Sequence, residues 1–330
     1  MFRVVIADFQ GEPLDKERQI LGDIATVEAF EARDESELWG RIDDADAIMM
    51  YHFLSIRRPT IERLTKCKLI VRCGAGVDNV DLVAAREKGI PVANVPDYGT
   101  EDVADTAIGM LLTLARGSHQ LNSRLQRSAS PWSYTAAAPL PRIRGRVLGI
   151  IGVGRIGTAT ALRAKALGLD VAYYDPHAPS GRDKSLGIRF VEDLSDLLRQ
   201  SQLLSIHCPL SPETHHLIND ESIRLLPRGA LLVNTARGGV VDVQCVVDAI
   251  ERGDLAGAGI DVLEQEPPDS NDPVIRAWRD PTHPAFDRLI LTPHAAFYSD
   301  EGIADMRIKG SQNCRRALVG KPLINVMNNF

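Results

Sequence analysis

Three residues of this chain have the types and spacing to carry proton and hydride chemistry. Arg237 stands in Thr235-Ala236-Arg237-Gly238-Gly239, after the apolar run Leu231-Leu232-Val233-Asn234. Glu266 follows Asp261-Val262-Leu263-Glu264-Gln265, beyond Ala258-Gly259-Ile260. His294 follows Leu289-Ile290-Leu291-Thr292-Pro293. Each lies just past a short apolar run that reads as a buried parallel strand. Strand carboxyl ends in one parallel sheet share an edge, so the three side chains are expected to converge there. Reducing a keto group by hydride needs a proton donor, a cation that polarises the carbonyl and holds a carboxylate, and a nicotinamide within reach. Histidine is the natural donor near neutral pH. A neighbouring carboxylate favours the imidazolium and fixes the ring. Arginine grips a carboxylate with two hydrogen bonds. Taken singly, each residue has a plainer reading: a helix-cap ion pair, a solvated loop acid, a capped turn histidine.

The element that would place a nicotinamide beside them lies earlier. Val147–Ile151 is an apolar, β-prone run, and Gly152, Gly154 and Gly157 then fit G-x-G-x-x-G ahead of an alanine-rich helical pattern, Thr158–Leu167. The first glycine makes a tight turn. The second lets a pyrophosphate approach the backbone, and the third lets helix pack on strand, with the helix N-terminus facing the phosphates. A second strand, Asp170–Tyr174, ends in Asp175, eighteen residues after Gly157. An acid there accepts hydrogen bonds from an adenosine ribose and repels a 2′-phosphate, which favours NAD over NADP. Glycines kept only for packing are the alternative.

The other elements complete an α/β pattern. Strands are expected at Arg3–Ala7, Ala25–Glu28, Ala47–Tyr51, Leu69–Arg72 and Pro91–Ala93, with helices around Asp15–Leu21, Ser36–Ile42, Thr60–Lys66 and Leu82–Lys88. Further strands fall at Ile188–Phe190, Leu203–His207 and Gly257–Val262, and helices around Leu194–Arg199, Asn219–Leu225, Cys245–Glu251 and Tyr298–Leu318. The alternation predicts two doubly wound, Rossmann-like parallel sheets. The expected domains are 1–101 plus 298–330, discontinuous, and 102–297. In the first, Gly74-Ala75-Gly76 follows a strand and offers an amide nest for a small carboxylate, with a tight turn as the alternative. Arg72 adds charge there or pairs with an acid. His52 ends another strand and reads as a partly buried histidine or a substrate contact. A long helix starts at Thr100 with a wide apolar band, as between domains or in a dimer. Residues 128–144, with Trp132, read as an ordered loop that meets a partner chain.

With 330 residues and a net charge of −6, nothing in the composition suggests a basic nucleic-acid surface. It has five scattered cysteines without a C-x-x-C pair, no signal peptide and no membrane-spanning run, which together point to the cytoplasm. No metal site is expected.

The chain resembles the D-isomer-specific 2-hydroxyacid dehydrogenases over nearly its whole length. Gly152–Gly157 with Asp175, Ser205-Ile206-His207-Cys208-Pro209-Leu210, Val233–Gly239, Glu266-Pro267 and Thr292-Pro293-His294 match that family's motifs in order and spacing. Pro141–Gly145, His215-His216-Leu217-Ile218-Asn219-Asp220 and His294–Ser299 are most similar to its C-terminal binding protein branch. The resemblance implies two domains flanking a cleft for cofactor and substrate, with NAD as cofactor. It implies a small 2-oxo or (R)-2-hydroxy acid as substrate and a homodimer through the NAD-binding domain. His294 would be the acid/base, Glu266 its partner and Arg237 the orienting cation. Arg155 and Ile156 would touch the pyrophosphate and Asp175 the ribose. Thr106, Cys208, Thr214, Thr235, Ala236, Asp261 and Ala296 would line the cofactor site. The Gly74–Gly76 amides, with Arg72 and Phe297, would face the substrate. The chain departs from that branch at Phe297 (tryptophan there), at Ala75 (serine there) and in a longer loop, Asn271–Asp287, carrying Trp278. Another reading stays open, an NAD(H)-sensing dimeric scaffold resembling a corepressor, with weak dehydrogenase activity.

Overall fold

Twelve strands fall into two parallel sheets in a computed structural model that describes residues 1–329. They are β1 (Phe2–Ile6), β2 (Ala25–Ala29), β3 (Ala47–Met50), β4 (Ile70–Arg72), β5 (Val92–Asn94), β6 (Val147–Ile151), β7 (Asp170–Tyr174), β8 (Arg189–Phe190), β9 (Leu203–Ile206), β10 (Ala230–Asn234), β11 (Leu255–Ile260) and β12 (Leu289–Leu291). The chain divides into two compact units, Met1–Gly99 with Tyr298–Phe330, and Thr100–Phe297.

The first unit holds a five-stranded sheet of order β2-β1-β3-β4-β5, the flavodoxin-like doubly wound order. Its central strands carry Val4, Ile6, Ile48, Met50, Ile70 and Val71, all fully buried, as strands covered on both faces require. The helix Asp300–Leu318 returns to cover this sheet. A Cβ on Gly310 would lie 2.7 Å from Cys73 Sγ and 2.9 Å from Met49 Cε, so only glycine lets the helix sit this close. Arg307 ties the helix to buried Glu17 at 2.6 Å. The tail beyond it reaches β5, where the Val92 amide donates to Asn328 Oδ1 at 2.9 Å.

The second unit holds seven strands in the order β12-β11-β10-β9-β6-β7-β8. Chain order reverses between β6 and β9, the switch point where such sheets bind ligands. The helix Thr100–Arg116 packs on this sheet, and a Cβ on Gly259 would lie 2.9 Å from Met110 Sδ. Ala107, Ile108, Met110, Leu111, Leu114 and Ala115 of this helix join the core of the unit.

Three expectations need correcting. The glycine-motif helix starts at Arg155, three residues earlier than its alanine pattern suggests, because Gly154 itself is the N-cap. Ser36–Ile42 forms only a short 3₁₀ turn, Glu35–Leu38. The stretch read as a long loop contains the helix Pro273–Arg279, capped by Asp272 Oδ1 accepting from the Val274 amide at 2.8 Å. Asp followed by Pro at the first helical position is a start signal. Val274 and Ala285 enter the core, with Trp278 packed against it.

Candidate active site

The parallel register puts the ends of β10, β11 and β12 on one edge of the second sheet, and the segments that follow are woven together there. His294 Nδ1 lies 2.7 Å from Glu266 Oε2. The Leu263 amide donates to Glu266 Oε1 at 2.7 Å and holds the carboxylate from its own loop. The His294 side chain is 23% exposed and that of Glu266 33%, so the pair is reachable yet sheltered.

The turn bearing His294 is held by Asp261. Its Oδ1 accepts from Thr292 Oγ1 at 2.5 Å and the Ala295 amide at 2.9 Å, and its Oδ2 from the Ala296 amide at 3.0 Å. The His294 amide donates to the Asp261 carbonyl at 2.8 Å. Thr106 Oγ1 donates to the Ala296 carbonyl at 3.2 Å from the long helix. His294 itself has φ of 52°, an uncommon conformation that these contacts over-determine. The Phe297 ring meets the His294 ring edge-on with centroids 6.1 Å apart.

Arg237 stands after β10, and its Nη1 donates to the Ala236 carbonyl at 2.7 Å. The Arg237 turn packs directly on the Glu266 loop, since a Cβ on Gly238 would lie 2.0 Å from the Leu263 carbonyl carbon. The three candidate catalytic residues therefore occupy one sheet edge on touching segments.

The glycine turn occupies the switch point. Gly152 has φ of 87°, and a Cβ there would lie 2.9 Å from the Cys208 amide nitrogen. A Cβ on Gly157 would lie 2.0 Å from the Gly152 carbonyl oxygen. A Cβ on Gly154 would meet nothing within 4 Å, and Gly154 and Arg155 are exposed where Ile156 is half-buried. Asp175 ends β7 with Oδ2 accepting from the Val153 amide at 2.9 Å and Oδ1 from the His177 amide at 2.9 Å. Thr214 Oγ1 donates to the Pro209 carbonyl at 2.7 Å, closing the loop after Cys208. Burial pushes the Cys208 thiol up to about 11, so it is no thiolate at neutral pH. Thr235 Oγ1 is buried and has no hydrogen-bond partner among the described residues. An open backbone approach at Gly154, a helix N-terminus behind it and an unsatisfied hydroxyl on the same edge fit a dinucleotide.

Residues 108–296 match the family model described as D-isomer specific 2-hydroxyacid dehydrogenase, NAD binding domain. The chain belongs to that family. It is 33% identical over 329 residues to D-3-phosphoglycerate dehydrogenase of Methanocaldococcus jannaschii, covering 99% of this chain and 60% of that protein. It is 32% identical over 326 residues to C-terminal-binding protein 1 of Caenorhabditis elegans, covering 97% of this chain and 44% of that protein. The chain thus spans less than two thirds of either relative. D-lactate dehydrogenase of Aquifex aeolicus, solved with NAD and lactic acid, superposes with a TM-score of 0.83 at 28% identity and 96% coverage of both chains.

In the first unit of this family member, Gly74-Ala75-Gly76 follows β4. The Gly74 amide donates to the Arg72 carbonyl at 2.9 Å, so the expected nest narrows to the Ala75 and Gly76 amides. Asn94 Nδ2 fixes it by donating to the Ala75 carbonyl at 2.6 Å. Arg72 is buried, its guanidinium where a Gly74 side chain would be. His52 is half-buried and packs edge-on against Phe53 with centroids 4.6 Å apart.

Two positioning residues escaped the sequence reading. Asn234 accepts from the Ala236 amide at 3.0 Å and donates to the Arg237 carbonyl at 2.9 Å, which shapes the arginine turn. Asp8 is fully buried after β1 and accepts from the Tyr51 and Phe53 amides at 2.6 and 2.8 Å. Burial pushes its carboxyl up, against those hydrogen bonds and the charge of Arg72. A polar residue ending a buried apolar strand was the available signal for both. Among the described residues, no helix is long and apolar enough to cross a membrane.

Proposed function

We propose that this protein is an NAD-dependent oxidoreductase that interconverts a small 2-oxo acid and its (R)-2-hydroxy acid. The observation that carries this reading is the His294–Glu266 pair, 2.7 Å apart on the edge that also holds the glycine turn. NAD, when bound, supplies the nicotinamide C4 that gives or takes the hydride at substrate C2. His294 exchanges the proton with the substrate oxygen through Nε2, because Nδ1 is engaged by Glu266. Glu266 fixes the ring and stabilises the imidazolium. Arg237 polarises the carbonyl and orients the substrate carboxylate. Arg72 and the Ala75 and Gly76 amides hold that carboxylate, and Phe297 and His52 bound the substrate side chain. Thr106, Gly154, Arg155, Ile156, Asp175, Cys208, Thr214, Thr235, Ala236, Asp261 and Ala296 hold the cofactor. In this reading the first unit binds substrate and the second binds NAD. The protein works in the cytoplasm, which its five free cysteines support. It pairs through the second unit, which the exposure of Trp132 and Tyr134 supports, at 92% and 81%.

His294→Gln should lower turnover on a panel of 2-oxo acids by about 100-fold or more with NADH affinity nearly unchanged. Wild-type turnover in this variant would reject His294 as acid/base. The likeness to C-terminal-binding protein 1 favours a second reading, an NAD(H)-sensing dimeric scaffold with weak dehydrogenase activity. Tight NADH binding with negligible turnover on every acid of the panel would select it.

A further inference from the structure

We propose that His215, His216 and Glu264 form a site for one Zn²⁺ ion beside the loop that carries Glu266. His215 Nε2 lies 3.2 Å from Glu264 Oε1, and His216 Nε2 lies 3.1 Å from Glu264 Oε2. One donor atom from each residue falls within 4.8 Å of the other two, and among the described residues no other group of three histidines, cysteines or acids does this.

The arrangement is built by the backbone. Adjacent residues of an extended chain point to opposite sides, yet these two imidazoles stack with centroids 4.0 Å apart and planes 24° apart. The cause is His216, whose φ of 47° turns both rings to one side. Its amide donates to the Gly239 carbonyl at 2.8 Å, and its carbonyl accepts from Asn219 Nδ2 at 3.0 Å. The Glu264 main chain is fixed separately, with its nitrogen 2.3 Å from where a Gly238 Cβ would be.

Two imidazole nitrogens and one carboxylate oxygen make a set that zinc accepts, with water in the remaining position. Zinc–ligand bonds of about 2.0–2.1 Å put tetrahedral donors about 3.3 Å apart. Each histidine nitrogen is already close to this from a different oxygen of the Glu264 carboxylate. Rotation of the side chains, 51%, 36% and 58% exposed, closes the wider gap and leaves water access to the ion. The ion would clamp the His215–His216 segment to the loop in which Leu263 holds Glu266.

The test is titration of metal-free, full-length protein with Zn²⁺ against a chelating indicator, together with Co²⁺ absorption. One equivalent should bind with micromolar affinity or better, and Zn²⁺ should raise the melting temperature. The Co²⁺ form should show ligand-field bands without a thiolate charge-transfer band. His216→Asn, which suits the left-handed backbone, and Glu264→Gln should each weaken binding by at least about tenfold. Both should keep the metal-free urea midpoint and NADH affinity. Millimolar binding by the wild type, undiminished binding by both variants, or a thiolate band would overturn the proposal.

Discussion

Two alanine substitutions one helical turn apart should separate the folding role of the glycine motif from its binding role. An ideal Cβ on Gly157 lies 2.0 Å from the Gly152 carbonyl oxygen, where ordinary contact begins at 3.4 Å. The helix and turn must part by more than about 1 Å to admit it, and overpacking of this kind costs about 1–3 kcal/mol or more. Because the obstacle is backbone, Gly157→Ala should reach about 3 kcal/mol. Gly154 differs. Its Cβ meets nothing within 4 Å, and its φ of −66° suits any residue. Alanine is the poorer N-cap by up to about 1 kcal/mol, and the stiffer unfolded chain offsets about 0.4–1 kcal/mol. Stability of Gly154→Ala should stay within about 1 kcal/mol of wild type. In the proposed cofactor site its methyl would nevertheless occupy the pyrophosphate approach. Losing one hydrogen bond to a charged phosphate costs about 1.5–3 kcal/mol, or about 10- to 150-fold in Kd. Urea unfolding and NADH fluorescence titration on both variants decide the matter. Wild-type NADH affinity in Gly154→Ala would refute the placement of the pyrophosphate, and wild-type stability in Gly157→Ala would refute the steric argument.

Asp261→Asn keeps one acceptor and sets an amide donor against the turn it holds, so it should cost about 1–3 kcal/mol and lower turnover at least about tenfold. Urea midpoints and initial rates check this, and two unchanged values would mean that Asp261 does not position His294. Asp175→Ser removes the charge proposed to face the ribose while Arg182 Nη2 remains 3.2 Å from the Val153 carbonyl. Relative efficiency with NADPH over NADH should rise at least about tenfold, and an unmoved ratio would separate Asp175 from cofactor choice. Burial lowers His207 from 6.5 to about 4, and its Nε2 lies 2.8 Å from Ser205 Oγ. The unfolded chain takes up that proton near pH 6.5 and the folded one only near 4. Stability is therefore complete above 6.5 and falls toward pH 4, by roughly 2–3 kcal/mol. Urea midpoints between pH 7.5 and 4.5 should record the loss, and His207→Gln should shallow the slope. An identical slope in that variant would assign the acid sensitivity elsewhere.

How far the chain could be read in advance depended on the range of the signal. Val147–Ile151 and Asp170–Tyr174 form strands with the expected bounds because each holds a short apolar, β-prone stretch between turn residues. The helix Pro273–Arg279 was hidden because seven residues hold too few apolar positions to show a period, although its Asp-Pro start was visible. His294, Glu266 and Arg237 stood out because each ends a segment after a readable strand. Asp261 was legible as a polar strand end, but its three contacts reach 31 to 35 residues ahead and no local pattern encodes them. The His215–His216–Glu264 group shows the same limit, with 48 and 49 residues between the histidines and the acid.

The second unit is one continuous stretch, Thr100–Phe297, whereas the first is built from both ends of the chain. During synthesis the later unit can therefore mature before the earlier one. Residues 1–99 emerge first with their five strands, but the helix whose Gly310 lies against Met49 and Cys73 is made last. Translation at about 5–20 residues per second leaves that sheet face bare for roughly ten seconds or more. In that interval the apolar side chains of β3 and β4 are available to chaperones or to wrong partners. Truncation just short of residue 300 should give a soluble second unit tethered to an aggregation-prone remainder.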